Sequence, residues 1–80
     1  MNIKPSTYYK EYDKILGCYY IIYTGTKCAY LIACKYNNEP LIKYDKKFNI
    51  GTVEELQHDI DFYSVKVEEI SESDVFLELL

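Results

Sequence analysis

The stretch CYYIIYTGTKCAYLIACKY, residues 18–36, decides the fold of this 80-residue chain. It contains five of the ten tyrosines and all three cysteines, and β-branched and aromatic residues dominate it on both sides of Gly25. Such residues favour strands, and a glycine between two runs of them supplies a tight turn. The stretch therefore predicts a β-hairpin with strands over 18–24 and 27–36.

The flanking segments predict a helix before the hairpin and two further strands after it. Residues 5–17 carry apolar side chains at the spacing of one helical stripe and end at Gly17, which is typical of a helix with a C-terminal glycine. A turn at 37–39 leads into a strand over 41–48, whose preceding proline is allowed at a strand start. Residues 64–70 alternate as a further strand.

The clearest helix pattern lies over 52–63. Thr52 and Glu55 form a capping box directly after Gly51, and acidic residues fill the first turn, as the helix dipole favours. The tail from Ser71 fits a helix or a strand, and we favour a helix. Together the segments predict an α+β domain over residues 1–80, with a small antiparallel sheet of three to four strands. The predicted order is α-β-β-β-α-β with the last element open, and the acidic helix packs on one face.

Alternation along the predicted strands assigns the side chains to two sheet faces. One face is apolar and contains small alanines, and we expect it to form the core beneath the helix over 52–63: Cys18, Tyr20, Ile22, Ala29, Leu31, Ala33, Ile42, Tyr44 and Phe48. The other face would contain Tyr19, Ile21, Tyr23, Cys28, Tyr30, Ile32, Cys34, Tyr36, Leu41, Lys43 and Asp45. A bare apolar face of this size indicates an interface unless the N-terminal helix and the tail cover it. Its expected anchors, toward a partner or a second copy of the chain, are Tyr19, Tyr23, Tyr30 and Tyr36.

The cysteines and the single histidine do not predict a metal or catalytic centre. Cys18, Cys28, Cys34 and His58 would supply four zinc ligands in number, but their spacing fits no zinc pattern. Buried reduced thiols are the simpler interpretation. The chain has no glycine-rich phosphate-binding motif, and its acid pairs are typical of solvated faces. We therefore expect no enzyme activity, no metal and no cofactor.

The N-terminal segment predicts a cytoplasmic protein. Residues 1–6 are polar and no apolar segment long enough for a signal peptide or a membrane span follows them. An odd number of cysteines without a CxxC motif also favours a reducing compartment.

Charge is distributed unevenly along the chain. Residues 1–50 carry eight lysines against four acids, a net charge of +4, whereas residues 51–80 carry one lysine against nine acids, a net charge of −8. Acids held on a rigid helix and strand can imitate nucleic-acid phosphates and steer association with a basic groove. We expect a partner-binding acidic surface formed by Glu54, Glu55, Asp59, Asp61, Glu68, Glu69, Glu72 and Asp74.

The overall profile is short, acidic, rich in residues with AT-rich codons and free of catalytic motifs. In this it resembles phage- or virus-encoded inhibitors of host defence, anti-CRISPR proteins among them. The resemblance implies an inhibitor that occludes the basic nucleic-acid-binding surface of a host protein. The alternative is a small nucleic-acid-binding module, in which sheet tyrosines and nearby lysines contact single-stranded bases: Lys27, Lys35, Lys43, Lys46 and Lys47. A pI of about 4.8 makes direct nucleic-acid binding the weaker expectation.

Overall fold

The computed structural model describes the backbone of residues 1–80 and the side chains of all residues except 45–47. Across this backbone the elements follow the order β1-β2-β3-β4-α1-β5-α2. Their bounds are β1 Thr7–Asp13, β2 Cys18–Thr24, β3 Cys28–Tyr36, β4 Ile42–Thr52, α1 Val53–Tyr63, β5 Lys66–Ile70 and α2 Glu72–Glu78. The strands form one antiparallel sheet in the order β4-β3-β2-β1-β5. The α+β prediction with an antiparallel sheet is confirmed, whereas the predicted strand number and element order are wrong.

The main difference is that the N-terminal segment forms a strand. The helix predicted over 5–17 is replaced by β1, which pairs with β2 on one side and with β5 on the other. Pairing on both sides satisfies its backbone groups and buries Tyr9, which is 1% exposed. The β-propensity of threonine and tyrosine favours the same outcome. Gly17, expected to end a helix, has a φ of +66° in the turn between β1 and β2.

The two helix starts predicted in the acidic C-terminal part of the chain, residues 51–80, are confirmed by their N-terminal caps. The Thr52 side chain accepts the Glu55 amide hydrogen at 3.0 Å at the start of α1. The Ser71 side chain accepts the Asp74 amide hydrogen at 3.1 Å at the start of α2. The tail is therefore helical, as we favoured. Within the described residues, neither helix is long and apolar enough to cross a membrane.

The two helices pack on opposite faces of the sheet. The buried cluster under α1 consists of Ile22, Ala29, Leu56 and Ile60. The buried cluster under α2 consists of Ile21, Ala33 and Val75. Because neighbouring residues of β2 point to opposite faces, Ile21 and Ile22 contribute to different clusters. The acidic helix α1 thus covers one face, as predicted, and the C-terminal helix covers part of the other.

A β-bulge in the central hairpin changes the predicted face of several residues. Ile21 pairs with Ala33 and Ile22 pairs with Leu31, so Ile32 is an extra residue on β3. One extra residue shifts every following side chain to the other face of the sheet.

Three face assignments beyond the bulge are therefore wrong. Ala33, predicted beneath α1, packs against α2 instead. Cys34 pairs with Tyr20, and Tyr36 pairs with Cys18, which places both on the α1 side rather than on the opposite face.

The edge strand β4 is less covered than we predicted. Register with β3 places Ile42 and Phe48 on the α1 side, but both are exposed, as is Tyr44. The buried α1 side chains lie over β2 and β3 and leave the outer edge open. The predictions made for Asp45, Lys46 and Lys47 concern side chains outside the described residues.

A candidate protein-binding surface on helix α1

The sheet separates the predicted acidic residues into two groups. Glu54, Glu55, Asp59 and Asp61 belong to α1 on one face. Glu72 and Asp74 belong to α2 on the other face, and Glu68 on β5 lies opposite Lys10 on that side. Glu69 points the other way, since neighbouring strand residues alternate. One flat partner surface cannot contact all of these carboxylates, so each group has to be considered by itself.

The outer face of α1 carries uncompensated negative charge. Its four acids are exposed, and no lysine among the described side chains lies within ion-pair distance of them. An oxygen of the Asp59 carboxylate lies 3.8 Å from Nδ1 of the neighbouring His58. Asp61 accepts a hydrogen bond from Gln57 at 3.1 Å, which positions its carboxylate without neutralising it. The arrangement is suited to a cationic partner.

The acids of β5 are used within the protein. Glu68 accepts the Tyr12 hydroxyl hydrogen at 2.8 Å, and Glu69 forms an ion pair of 2.8 Å with Lys4. The hydrogen bond to Glu68 is the main cause that raises the pKa of Tyr12. The ion pair with Lys4 offsets the charge of Glu69, whereas the hydrogen bond leaves Glu68 charged. The two β5 acids thus offer a partner less net charge than the four acids of α1, so the acidic surface on α1 is the better candidate.

Helix α1 ends in an exposed aromatic group. The rings of His58 and Phe62 stack with centroids 6.0 Å apart, and Phe62 meets Tyr63 edge-on at 4.9 Å. Phe62 is 71% exposed and Tyr63 is 68% exposed. Phe62 was not predicted as a site residue, although its apolar side chain outside the buried face of α1, formed by Leu56 and Ile60, was the available signal. Exposed rings beside carboxylates suit lysine or arginine side chains, which contact aromatic faces.

A shallow hollow joins this helix end to the turn between β1 and β2. It has a volume of about 380 Å³ and is lined by Ile15 and Lys14 from the turn, by Tyr63 and by Lys66 at the start of β5. Ile15 is 96% exposed. Asp13 also lines the hollow, where its carboxylate accepts the backbone hydrogens of the turn.

The structure does not bring the four predicted sheet tyrosines together. Tyr19 and Tyr23 lie on the α2 side with Tyr30, whereas Tyr36 lies on the α1 side. The Tyr19 hydroxyl donates to Glu78 at 2.7 Å, and burial and then this hydrogen bond raise the pKa of Tyr19. Tyr23 packs on Tyr8 with ring centroids 4.7 Å apart. Much of the tyrosine surface is therefore engaged within the chain.

The alternative function, direct nucleic-acid binding, requires lysines close to the sheet tyrosines. The lysines described in the structure lie apart from one another. Lys35 donates to the backbone carbonyls of Tyr36 and Glu39. Lys43 pairs with Ala33 on the α2 side of the sheet and is exposed. Lys27 follows Gly25 at the far end of the hairpin and is also exposed.

The three cysteines are free thiols. Burial is the main cause that raises the pKa of the Cys34 thiol, which also contacts Cys18. His58 lies on the outer face of α1 instead. Among the described residues, no group of three or more metal-ligating side chains is close enough to hold an ion.

Comparison of the chain with protein-family models, with curated proteins and with solved structures gives no match.

Proposed function

We propose that this protein is a non-enzymatic inhibitor that binds a basic surface of a nucleic-acid-handling protein through the outer face of α1. The observation that carries the proposal is the set of exposed α1 carboxylates without a lysine partner among the described side chains. Phosphate mimicry of this kind fits the phage- or virus-type profile of the sequence, and the cell in which the target lies would be the host.

The contacts that hold α1 on the sheet support the proposal. Charges on a helix that is already rigid lose little conformational entropy on binding. Leu56 and Ile60 fix the helix to the sheet. Gln57 holds the N-terminal segment, accepting the Ile3 amide hydrogen at 2.6 Å and donating to the Met1 carbonyl at 2.8 Å. The Val53 amide donates to the Lys27 carbonyl at 2.8 Å and joins the start of α1 to the hairpin.

The charge of α1 also supports fast association with such a target. Carboxylates that no lysine of residues 1–44 or 48–80 pairs with produce a local negative potential that steers a basic partner toward them. Salt screens this attraction over a distance of about 8 to 10 Å at physiological ionic strength. Binding is therefore expected to weaken strongly as the salt concentration rises.

Displacement from immobilised DNA tests the proposal. Nucleic-acid-binding proteins from a bacterial lysate are loaded on DNA-cellulose, and the purified protein is applied as the eluent. We expect release of a discrete protein, and no release by the variant Glu54→Lys/Asp59→Lys. The control variant Glu39→Lys/Glu72→Lys changes the net charge by the same amount. It also replaces one first-turn acid of a helix, Glu72 of α2 in place of Glu54 of α1. We expect it to release the same protein as the wild type does.

Two results would reject the proposal. Equal elution by both variants would mean that α1 is not the contact surface. Retention of the protein on DNA-cellulose would favour the alternative, in which the tyrosine and lysine side chains of the sheet bind nucleic acid directly.

A further inference from the structure

We infer that the hollow between the β1–β2 turn and the end of α1 receives an apolar side chain of the partner, from an amphipathic segment whose basic residues lie along α1. The inference rests on the proposed function and adds the chemistry of the partner. It places an apolar anchor at one end of the acidic surface and predicts a protein ligand rather than a simple polycation.

The observation is that the hollow is lined by two exposed side chains, Ile15 and Tyr63, and that each has an exposed apolar neighbour. Ile15 is 96% exposed, and Leu16 beside it is also exposed. Tyr63, at the end of α1, lines the same hollow as Ile15, and the Phe62 ring lies against the Tyr63 ring. Apolar groups gathered at one place on a surface mark an interaction site, whereas single exposed ones are common.

The carboxylates along α1, whose last residue lines the hollow, select the occupant. A second copy of the chain placed symmetrically on this hollow would bring two acidic α1 helices close together at this end. Nucleic acid and anionic membranes would be repelled by the same carboxylates. A protein segment that combines an apolar residue with lysine or arginine matches both parts of the surface.

The same charges orient the partner segment. Lys14 and Lys66 line the hollow on the side of the β-strands, whereas Asp59 and Asp61 lie on α1. Basic residues of the partner would avoid the two lysines and follow the helix. The apolar residue therefore lies at the end of the segment that contacts Ile15 and Tyr63.

Two synthetic peptides test the inference by fluorescence anisotropy. Both are short amphipathic helices with the same lysine and arginine residues, and one carries leucines at one end where the other carries serines. We expect the leucine peptide to bind about tenfold more tightly, as for an interface anchor. Ile15→Ser and Tyr63→Ser, which change two lining residues of the hollow, should abolish this advantage without changing the salt dependence. Phe76→Ser removes a similarly exposed ring from α2, on the other side of the sheet, and should leave the advantage intact.

The failures of the two proposals are distinguishable. Equal affinity for both peptides, lost in Glu54→Lys/Asp59→Lys, would overturn the anchor and leave the acidic surface in place. Absence of binding by either peptide would overturn both the anchor and the acidic surface. Binding that Glu54→Lys/Asp59→Lys does not weaken would do the same. Sedimentation of the wild type as a dimer and of Ile15→Ser as a monomer would show that a second copy covers the hollow, against the inference.

Discussion

Lys10 and Glu78, which are 68 positions apart in the chain, form an ion pair of 2.9 Å between β1 and α2. The other oxygen of the same carboxylate accepts the Tyr19 hydroxyl hydrogen at 2.7 Å. The Lys10 ammonium also lies 4.1 Å from the centre of the Tyr19 ring. One carboxylate thus connects the C-terminal helix to two strands, beside the apolar contact made by Val75.

Replacement of Glu78 by glutamine is expected to destabilise the protein at neutral pH. The hydrogen bond from Tyr19 and the contact with Lys10 lower the pKa of Glu78. A lowered pKa in the folded state stabilises the protein above the ordinary carboxyl pKa, and the stabilisation is lost as pH falls through the folded value. We expect Glu78→Gln to cost about 1 kcal/mol at pH 7 and much less at pH 3.

Thermal unfolding of both proteins between pH 3 and pH 7 measures this difference. Glu39→Gln removes an exposed carboxylate in the turn before β4 and serves as the control, with no expected change. A difference between wild type and Glu78→Gln that stays constant across this range would contradict the assignment.

Glu11 is expected to show the opposite pH dependence. Burial is the main cause that raises the pKa of Glu11. The negative charges of Asp13 and Asp59 raise it further. A raised pKa in the folded state means that stability is lost as pH rises from the ordinary carboxyl value through the folded value. Glu11→Gln should therefore raise the melting temperature at pH 7 and have no such benefit at pH 3. The change Glu69→Gln, which removes the ion pair with Lys4, should give no gain.

The parts of the fold that were predicted correctly are encoded over short distances. The caps at Thr52 and Ser71 depend on residues three positions away, so the sequence pattern contains the whole interaction. Residues 7–13 could not be assigned in this way, because their strand is held by pairing with β2 on one side and with β5, more than fifty positions later, on the other. A helical spacing of tyrosines was present there, and long-range pairing overrode it.

The sequence predicted which acidic residues the candidate site contains, but not how the fold arranges them in space. The acids of α1 follow directly from the sequence, and the helix pattern places them on one element. Their separation from Glu72 and Asp74 depends on which face each helix covers, which no local pattern contains. The hollow near Ile15 was missed for a similar reason, because it joins a turn to a helix end about fifty positions away.

The bulge at Ile32 makes a specific prediction about two alanines. Ala29 and Ala33 are both fully buried, but the first packs beneath α1 and the second against Val75 of α2. A leucine at either position should destabilise the protein by about 1 to 3 kcal/mol through overpacking. In ¹⁵N-resolved NMR spectra, Ala33→Leu should shift the amide signals of α2, and Ala29→Leu those of α1. Shifts in α1 from both variants would indicate a regular hairpin without the bulge.

Thr24 provides a test of how the N-terminal segment is held. Its side chain is fully buried, accepts the Thr7 amide hydrogen at 3.0 Å and lies 2.7 Å from the Lys4 carbonyl, to which it can donate. Valine has the same shape, so Thr24→Val would remove these bonds without creating a cavity. The Thr7 amide and the Lys4 carbonyl would then lack a partner, at a cost of about 1 to 3 kcal/mol.

Urea unfolding measures this cost, and amide hydrogen exchange at Thr7 shows where it arises. Thr26→Val makes the same chemical change at an exposed position two residues later and should leave stability nearly unchanged. Faster exchange at Thr7 in Thr24→Val alone would locate the loss at the junction of β1 and β2. Equal stability of the two variants would mean that the hydroxyl of Thr24 does not hold residues 4–7, because an unpaired buried amide would have to be destabilising.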